Sequence, residues 1–114
     1  MPHYLLQVAY EPTAIAALIA SPQDRTEAIR PVVEKLGGKI ENFFYAFGDY
    51  DVVAIVEMKE NAGAAAFSLA ASAGGAIKSI RTTPLMSMSE GIEAFKRAAT
   101  CGYKAPAGTK TRGA

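Results

Sequence analysis

Apolar residues in this chain fall into strand-like runs separated by stretches with helical spacing. Three runs have the length and the aromatic or β-branched content of strands, at residues 3–10, 38–48 and 51–58. A fourth run, residues 76–85, alternates apolar and polar side chains and ends at a proline, which is typical of a half-exposed or edge strand. The pattern therefore predicts four strands.

Two helices are predicted between the first and second strands. Helical spacing of apolar residues begins at Thr13 and restarts at residues 21–24 (SPQD), which have the serine, proline and aspartate typical of a helix N-terminus. The second of these helices is predicted to run through Lys35. Gly37 and Gly38 follow it and favour a left-handed C-terminal cap.

A third helix is predicted over residues 59–74, within an unusual stretch without charge at residues 62–77. Small side chains on all sides of this helix indicate close packing against another element, or a cavity between helix and sheet. The alternative is an alanine-rich surface helix with Ser68 and Ser72 facing water. The stretch is too short for the roughly 20 residues that cross a bilayer, so no membrane span is predicted.

A last helix follows the fourth strand. Ser87 or Ser89 is expected to cap it, and it runs through Ala99. Ile92, Phe95 and Ala99 are predicted to face inward.

This order of elements predicts an α+β chain with a ferredoxin-like βαββαβ fold, a four-stranded antiparallel sheet and an extra C-terminal helix. The domain is expected over residues 1–99, with a flexible tail at 100–114. Gly48, Asp49, Tyr50 and Asp51 link the second and third strands as a hairpin. Helices cover one sheet face, and a second subunit is expected to cover the other, since these two strands are apolar at odd and even positions.

Composition excludes several classes of partner. The chain has 114 residues, about half of them apolar, with 12 basic against 11 acidic side chains. This balance provides no basic field for nucleic acid or an anionic membrane. Cys101 is the only cysteine, and the N-terminus lacks the layout of a signal peptide, so a cytoplasmic location is predicted.

Three segments resemble the GYD family: residues 36–39 (LGGK), 43–56 (FFYAFGDYDVVAIV) and 80–85 (IRTTPL). The Gly, Tyr, Asp signature that names the family corresponds here to residues 48–51 (GDYD), and the resemblance spans roughly residues 1–99. It implies a ferredoxin-like domain similar to the dimeric α+β barrel proteins, in which two subunits pack sheet against sheet. It implies no settled activity.

The signature allows two interpretations. Asp49 or Asp51 can accept hydrogen bonds from backbone amides and Tyr50 can pack its ring, so that the segment only seals the turn. Alternatively, Asp49, Tyr50 and Asp51 lie at a pocket mouth, where a carboxylate beside a phenol orients or deprotonates a small ligand.

His3, Tyr45 and Arg81 are the other candidate ligand-binding residues. His3 is the only histidine, and without a second imidazole or a cysteine cluster no metal site of the common zinc or iron type is predicted. His3 has two interpretations. It is either a surface or structural residue, or a functional residue that binds haem axially or acts as a base. Tyr45 and Arg81 lie on strands that flank the sheet, and Arg81 either holds a carboxylate or pairs with Glu57 or Asp51.

These observations favour a homo-oligomeric module that binds a small apolar or aromatic molecule, or that serves as an assembly unit, with no cofactor. Its aromatic second strand supports this prediction. One alternative is a cofactor-free or haem-dependent monooxygenase or isomerase of the dimeric α+β barrel type, which rests on fold analogy alone. The other is a metabolite-responsive regulatory domain. No nucleic-acid or membrane partner is predicted.

Overall fold

The computed structural model describes residues 1–107, and four strands and four helices follow in the predicted order within them. They are β1 (His3–Tyr10), α1 (Pro12–Ala20), α2 (Thr26–Lys35), β2 (Lys39–Tyr45), β3 (Val52–Glu57), α3 (Asn61–Ala73), β4 (Ile77–Leu85) and α4 (Met88–Thr100). The predicted tail lies partly outside the described residues, at 108–114.

The strands form one sheet in the order β2-β3-β1-β4, and each neighbouring pair is antiparallel. The two strands of each βαβ half are not neighbours in the sheet: β2 pairs with β3, and β4 pairs with β1. This is the ferredoxin-like arrangement. The predicted α+β fold is therefore confirmed, including the extra C-terminal helix and the edge position of β4.

One face of the sheet carries the core. Tyr4, Leu6 and Val8 alternate along β1 with less buried neighbours, as the two-residue period of a strand requires. Tyr4 and Leu6 pack in one cluster with Val33 of α2 and Phe67 of α3. Both helices therefore cover the same face.

The opposite face, which we call the open face, is less protected. It consists of the side chains that alternate with the core residues along β1, β3 and β4, and in the described part of the chain none of them is buried. Leu5, Val53 and Ile55 are half-buried at its centre, and Phe44 of β2 is 58% exposed. Such a contiguous apolar surface is typical of an interaction site.

The uncharged stretch forms α3, which buries Ala64 and Phe67 against the sheet. The Ser68 hydroxyl lies 2.5 Å from the Thr82 hydroxyl of β4, so it faces the sheet, whereas Ser72 is exposed. Over residues 1–107, no helix combines the length and apolar character needed to cross a membrane.

The start of α2 differs from the prediction at residues 21–24. Ser21 ends α1, where its amide donates to the Ala17 carbonyl at 2.9 Å, and α2 begins only at Thr26. The Asp24 carboxylate accepts from the Thr26 amide at 2.9 Å, and this hydrogen bond lowers the pKa of Asp24. Gly37 has a φ of +86° after the end of α2, which confirms the left-handed cap.

The capping of α4 is confirmed, but its predicted orientation is wrong. Ser87 and Glu90 form a reciprocal capping box. However, α4 buries none of its residues: Ile92 is 53% exposed, Phe95 is 78% exposed, and Ala99 is exposed as well. Spacing identifies the apolar face of a helix without identifying what that face contacts.

The chain is less compact than a typical domain. Its radius of gyration is 18.3 Å, whereas a compact domain of about this length has a radius of gyration of roughly 13 Å.

Candidate functional site

The six candidate residues from the sequence fall at separate places in the fold. They are Tyr45, Asp49, Tyr50 and Asp51 at one end of the sheet, His3 at the other end, and Arg81 on the open face. β1 alone separates the two ends by about 23 Å at the usual rise of a strand. They therefore do not converge on a single site.

Arg81 does not form the ion pair considered for it. It lies opposite Gln7 of β1, so β1 separates it from Glu57 and the other residues of β3. Glu57 instead pairs with His3. Among residues 1–107, no ion pair involves the exposed Arg81 side chain.

Asp51 fastens the β2–β3 turn to the end of β1. Its carboxylate accepts from the Tyr10 amide at 2.8 Å, and its own amide donates to the Val8 carbonyl at 2.7 Å. Its carbonyl accepts from the Ala46 amide at 2.8 Å, which closes the turn. These contacts support the structural interpretation for Asp51.

The rest of the signature lies at the surface. Asp49 is exposed and Tyr50 is half-buried, and within the described chain neither side chain makes a hydrogen bond. The turn is also longer than predicted, because β2 ends at Tyr45 and β3 begins at Val52. Phe47 falls within the predicted second strand but is fully exposed in this turn.

An apolar cavity of about 270 Å³ lies between the sheet and helices α2 and α3. Leu6 and Ala54 line it from the sheet, and Ile29 and Phe67 line it from the helices. On the last turns of α3, only small side chains, such as Ala71, face this space. The uncharged helix therefore leaves a cavity, in agreement with one of the two interpretations of its sequence.

Two polar side chains border this cavity, Tyr10 from the end of β1 and Arg25 from the start of α2. Both are half-buried. Burial raises the pKa of the Tyr10 hydroxyl, and the nearby positive charge of Arg25 opposes part of that rise. Tyr10 therefore remains a neutral hydrogen-bond donor at physiological pH. A guanidinium and a phenol beside apolar walls suit an apolar molecule that carries one acidic group.

Tyr10 also lines a second, more open groove of about 300 Å³ against α1. Tyr45 and Asp51 border this groove, and the Tyr45 hydroxyl donates to the Gln23 carbonyl at 2.7 Å. Of the six predicted residues, Tyr45 and Asp51 thus line this groove, and none of the six lines the apolar cavity.

Three groups with metal-binding chemistry meet at the opposite end of β1. The Nε2 atom of His3 lies 3.3 Å from the Oε1 atom of Glu57. With Glu41 included, one ligand atom from each of the three residues lies within 4.8 Å of the other two. Because His3 is the only histidine, the apolar cavity provides no imidazole ligand for haem.

Sequence reasoning did not identify Tyr10 or Arg25. Tyr10 was the last residue of a strand and Arg25 was one charge on a helix, and neither belongs to a motif. The available signal was the stretch of small uncharged residues in α3, which indicated a cavity without indicating which polar groups border it.

The comparison with protein families gives one result. The family model described as "GYD domain" matches residues 4–95, which is most of the chain. No curated protein and no solved structure matches this chain. The matched region runs from β1 into α4 and contains the sheet, apart from His3, and the cavity beneath it. The chain therefore belongs to the GYD domain family.

Proposed function

We propose that this protein is an oligomeric binding module for a small, mainly aromatic or apolar molecule with one acidic group. The observation that carries this proposal is the cavity between the sheet and helices α2 and α3, with Arg25 and Tyr10 at its border. Arg25 would pair with the acidic group, and the Tyr10 hydroxyl would donate a second hydrogen bond to it.

The size of the cavity limits the ligand. A dry apolar cavity of about 150 Å³ accommodates benzene. The cavity here is about 270 Å³, so it suits a single ring with a short acidic side chain. Apolar walls would bury the ring, and the two polar groups would fix its orientation.

Binding is favoured over the monooxygenase or isomerase alternative by the positions of the residues. The alternative would use His3, Tyr45, Tyr50 or an aspartate as base. His3 lies at the far end of β1 from the cavity, and Tyr50 does not line it. The cavity border instead provides a cation and a phenol, which recognise an anion.

Self-association through the open face is the second part of the proposal. The apolar centre of this face, formed by Leu5, Val53 and Ile55, together with the exposed Phe44, would be buried when two copies pack sheet against sheet. The exposed apolar residues of α4 would gain a partner in the same assembly. The single cysteine supports action in a reducing compartment such as the cytoplasm.

Acidic probes should bind through Arg25. We expect benzoate and 3-phenylpropanoate to bind more tightly than benzamide and 3-phenylpropanamide, as measured by NMR chemical-shift titration. The substitution Arg25→Met should weaken binding of the acids by about 10-fold to 100-fold, the effect of losing a charged hydrogen bond. It should leave binding of the amides nearly unchanged. Arg30→Met is the matched control, because Arg30 pairs with Glu27 and does not line the cavity.

A second pair of variants tests the location of the ligand. Ala71→Leu should fill the cavity and abolish binding of acids and amides alike, whereas Ala65→Leu on the exposed side of α3 should not affect it. Absence of saturable binding by every acid, or equal affinity in the wild type and Arg25→Met, would contradict the proposal.

A further inference from the structure

The side chains of His3, Glu41 and Glu57 come from three adjacent strands at one end of the sheet. His3 lies directly opposite Glu57 in the pairing of β1 with β3. The Nε2 atom of His3 and the Oε1 atom of Glu57 are 3.3 Å apart, and one ligand atom from each of His3, Glu41 and Glu57 lies within 4.8 Å of the other two. Nothing in the sequence places these residues together, because the cluster depends on strand order and register.

An irregularity in β2 helps to bring Glu41 into the cluster. Ile40 pairs with Val56, but the next paired residue of β2 is Asn42, opposite Ile55. Glu41 is therefore the extra residue of a β-bulge. A bulge redirects a side chain and is common beside functional sites. Here the carboxylate of the extra residue lies within reach of Glu57 and His3.

We propose that His3, Glu41 and Glu57 bind a divalent first-row transition metal ion, such as Zn²⁺. A neutral imidazole with two carboxylates is a suitable donor set for these ions. Two ligands of a tetrahedral ion, each about 2.0–2.1 Å from it, lie roughly 3.3–3.4 Å apart. The separation of 3.3 Å between His3 and Glu57 matches such an edge. Glu41 is exposed, so its side chain has room to rotate towards an ion bound by the other two residues.

The charges of the cluster support a cation at this position. Two carboxylates within 4.8 Å of each other repel, and a cation bound between them removes this repulsion. Lys39 lies opposite Glu57 in β2, but in the described part of the chain these two residues form no ion pair. A divalent cation would neutralise both carboxylates.

In a single chain the site is accessible. His3 also lines an open groove of about 700 Å³ that is bordered by Ile55 and by Leu85 at the end of β4. Three protein ligands leave at least one coordination position for water or a small molecule, which would enter from this groove. The site would be separate from the apolar cavity, because His3 alternates with the core residues of β1, whereas the cavity lies on the core face.

Zn²⁺ titration of the tag-free protein tests the proposal. We expect isothermal titration calorimetry to show one Zn²⁺ per chain. Co²⁺ bound at the same site should give a visible absorption band typical of a low coordination number. Removing any one ligand should weaken Zn²⁺ binding by at least about 10-fold to 100-fold, the effect of losing a residue that only hydrogen-bonds to a ligand. The variants are His3→Gln, Glu41→Gln and Glu57→Gln. Glu34→Gln is the matched control, an exposed glutamate on α2 outside the cluster.

Three results would overturn the proposal. The first is no saturable binding of Zn²⁺ or Co²⁺. The second is loss of binding in His3→Gln while both glutamate variants bind as the wild type does, which would indicate a surface imidazole acting alone. The third is one ion per two chains, which would place the site between molecules. Circular dichroism of each variant checks that the fold is retained.

Discussion

Replacing Gly38 by alanine should destabilise the protein by about 3 kcal/mol, the upper range for overpacking a core. Gly38 lies between the end of α2 and the start of β2, and its amide donates to the Val33 carbonyl at 2.9 Å. A Cβ atom there would collide with the Glu57 carbonyl of β3 and with the Met58 sulfur, and it would lie 3.1 Å from Val33. The backbone carbonyl cannot move without disturbing β3, so we expect the melting temperature to fall by roughly 10 °C or more.

Gly91→Ala is the matched control for this substitution. Gly91 lies inside α4, and a Cβ atom there would meet nothing within 4 Å. Alanine favours a helix over glycine by up to about 1 kcal/mol, so this variant should be as stable as the wild type or slightly more stable. Chemical denaturation of both variants measures the difference. Equal stability of Gly38→Ala and the wild type would show that the link between α2 and β2 does not approach the end of β3 this closely.

Much of the fold is predictable from the sequence because strand and helix periods are local. The four strands, the glycine cap after α2 and the serine cap of α4 all follow from neighbouring residues. The predicted element boundaries are wrong where one local pattern is compatible with two structures. Residues 21–24 resemble a helix start, but they form the end of α1 and the link to α2. Phe47 continues an aromatic run although the hydrogen-bonded strand ends at Tyr45.

The candidate sites are less predictable because they depend on contacts between distant parts of the chain. Tyr10 and Arg25 become neighbours only when α2 packs on the sheet. His3 meets Glu57 only through the register of β1 with β3, and Glu41 joins them at a bulge. Neither register nor bulge position can be read from composition or periodicity.

Ile55→Lys should convert a dimer of this protein into monomers. Ile55 lies on central strand β3, half-buried on the open face, with Leu5 of β1 beside it. In a single chain, a lysine there can extend its ammonium group into water, so the fold should persist. Between two apolar sheet faces the same charge would be buried without a partner. We expect dimer dissociation to increase by at least about 100-fold, which corresponds to roughly 3 kcal/mol.

Native mass spectrometry and light scattering at several protein concentrations measure this change. Ala65→Lys is the matched control, because it adds the same charge at an exposed position of α3, away from the open face. The control should remain dimeric, and both variants should keep the circular dichroism of the wild type. A monomeric wild type, or a dimer that persists in Ile55→Lys, would contradict assembly through the open face. Because the apolar cavity lies on the other side of the sheet, monomeric Ile55→Lys should still bind benzoate, so that assembly and ligand binding can be tested independently.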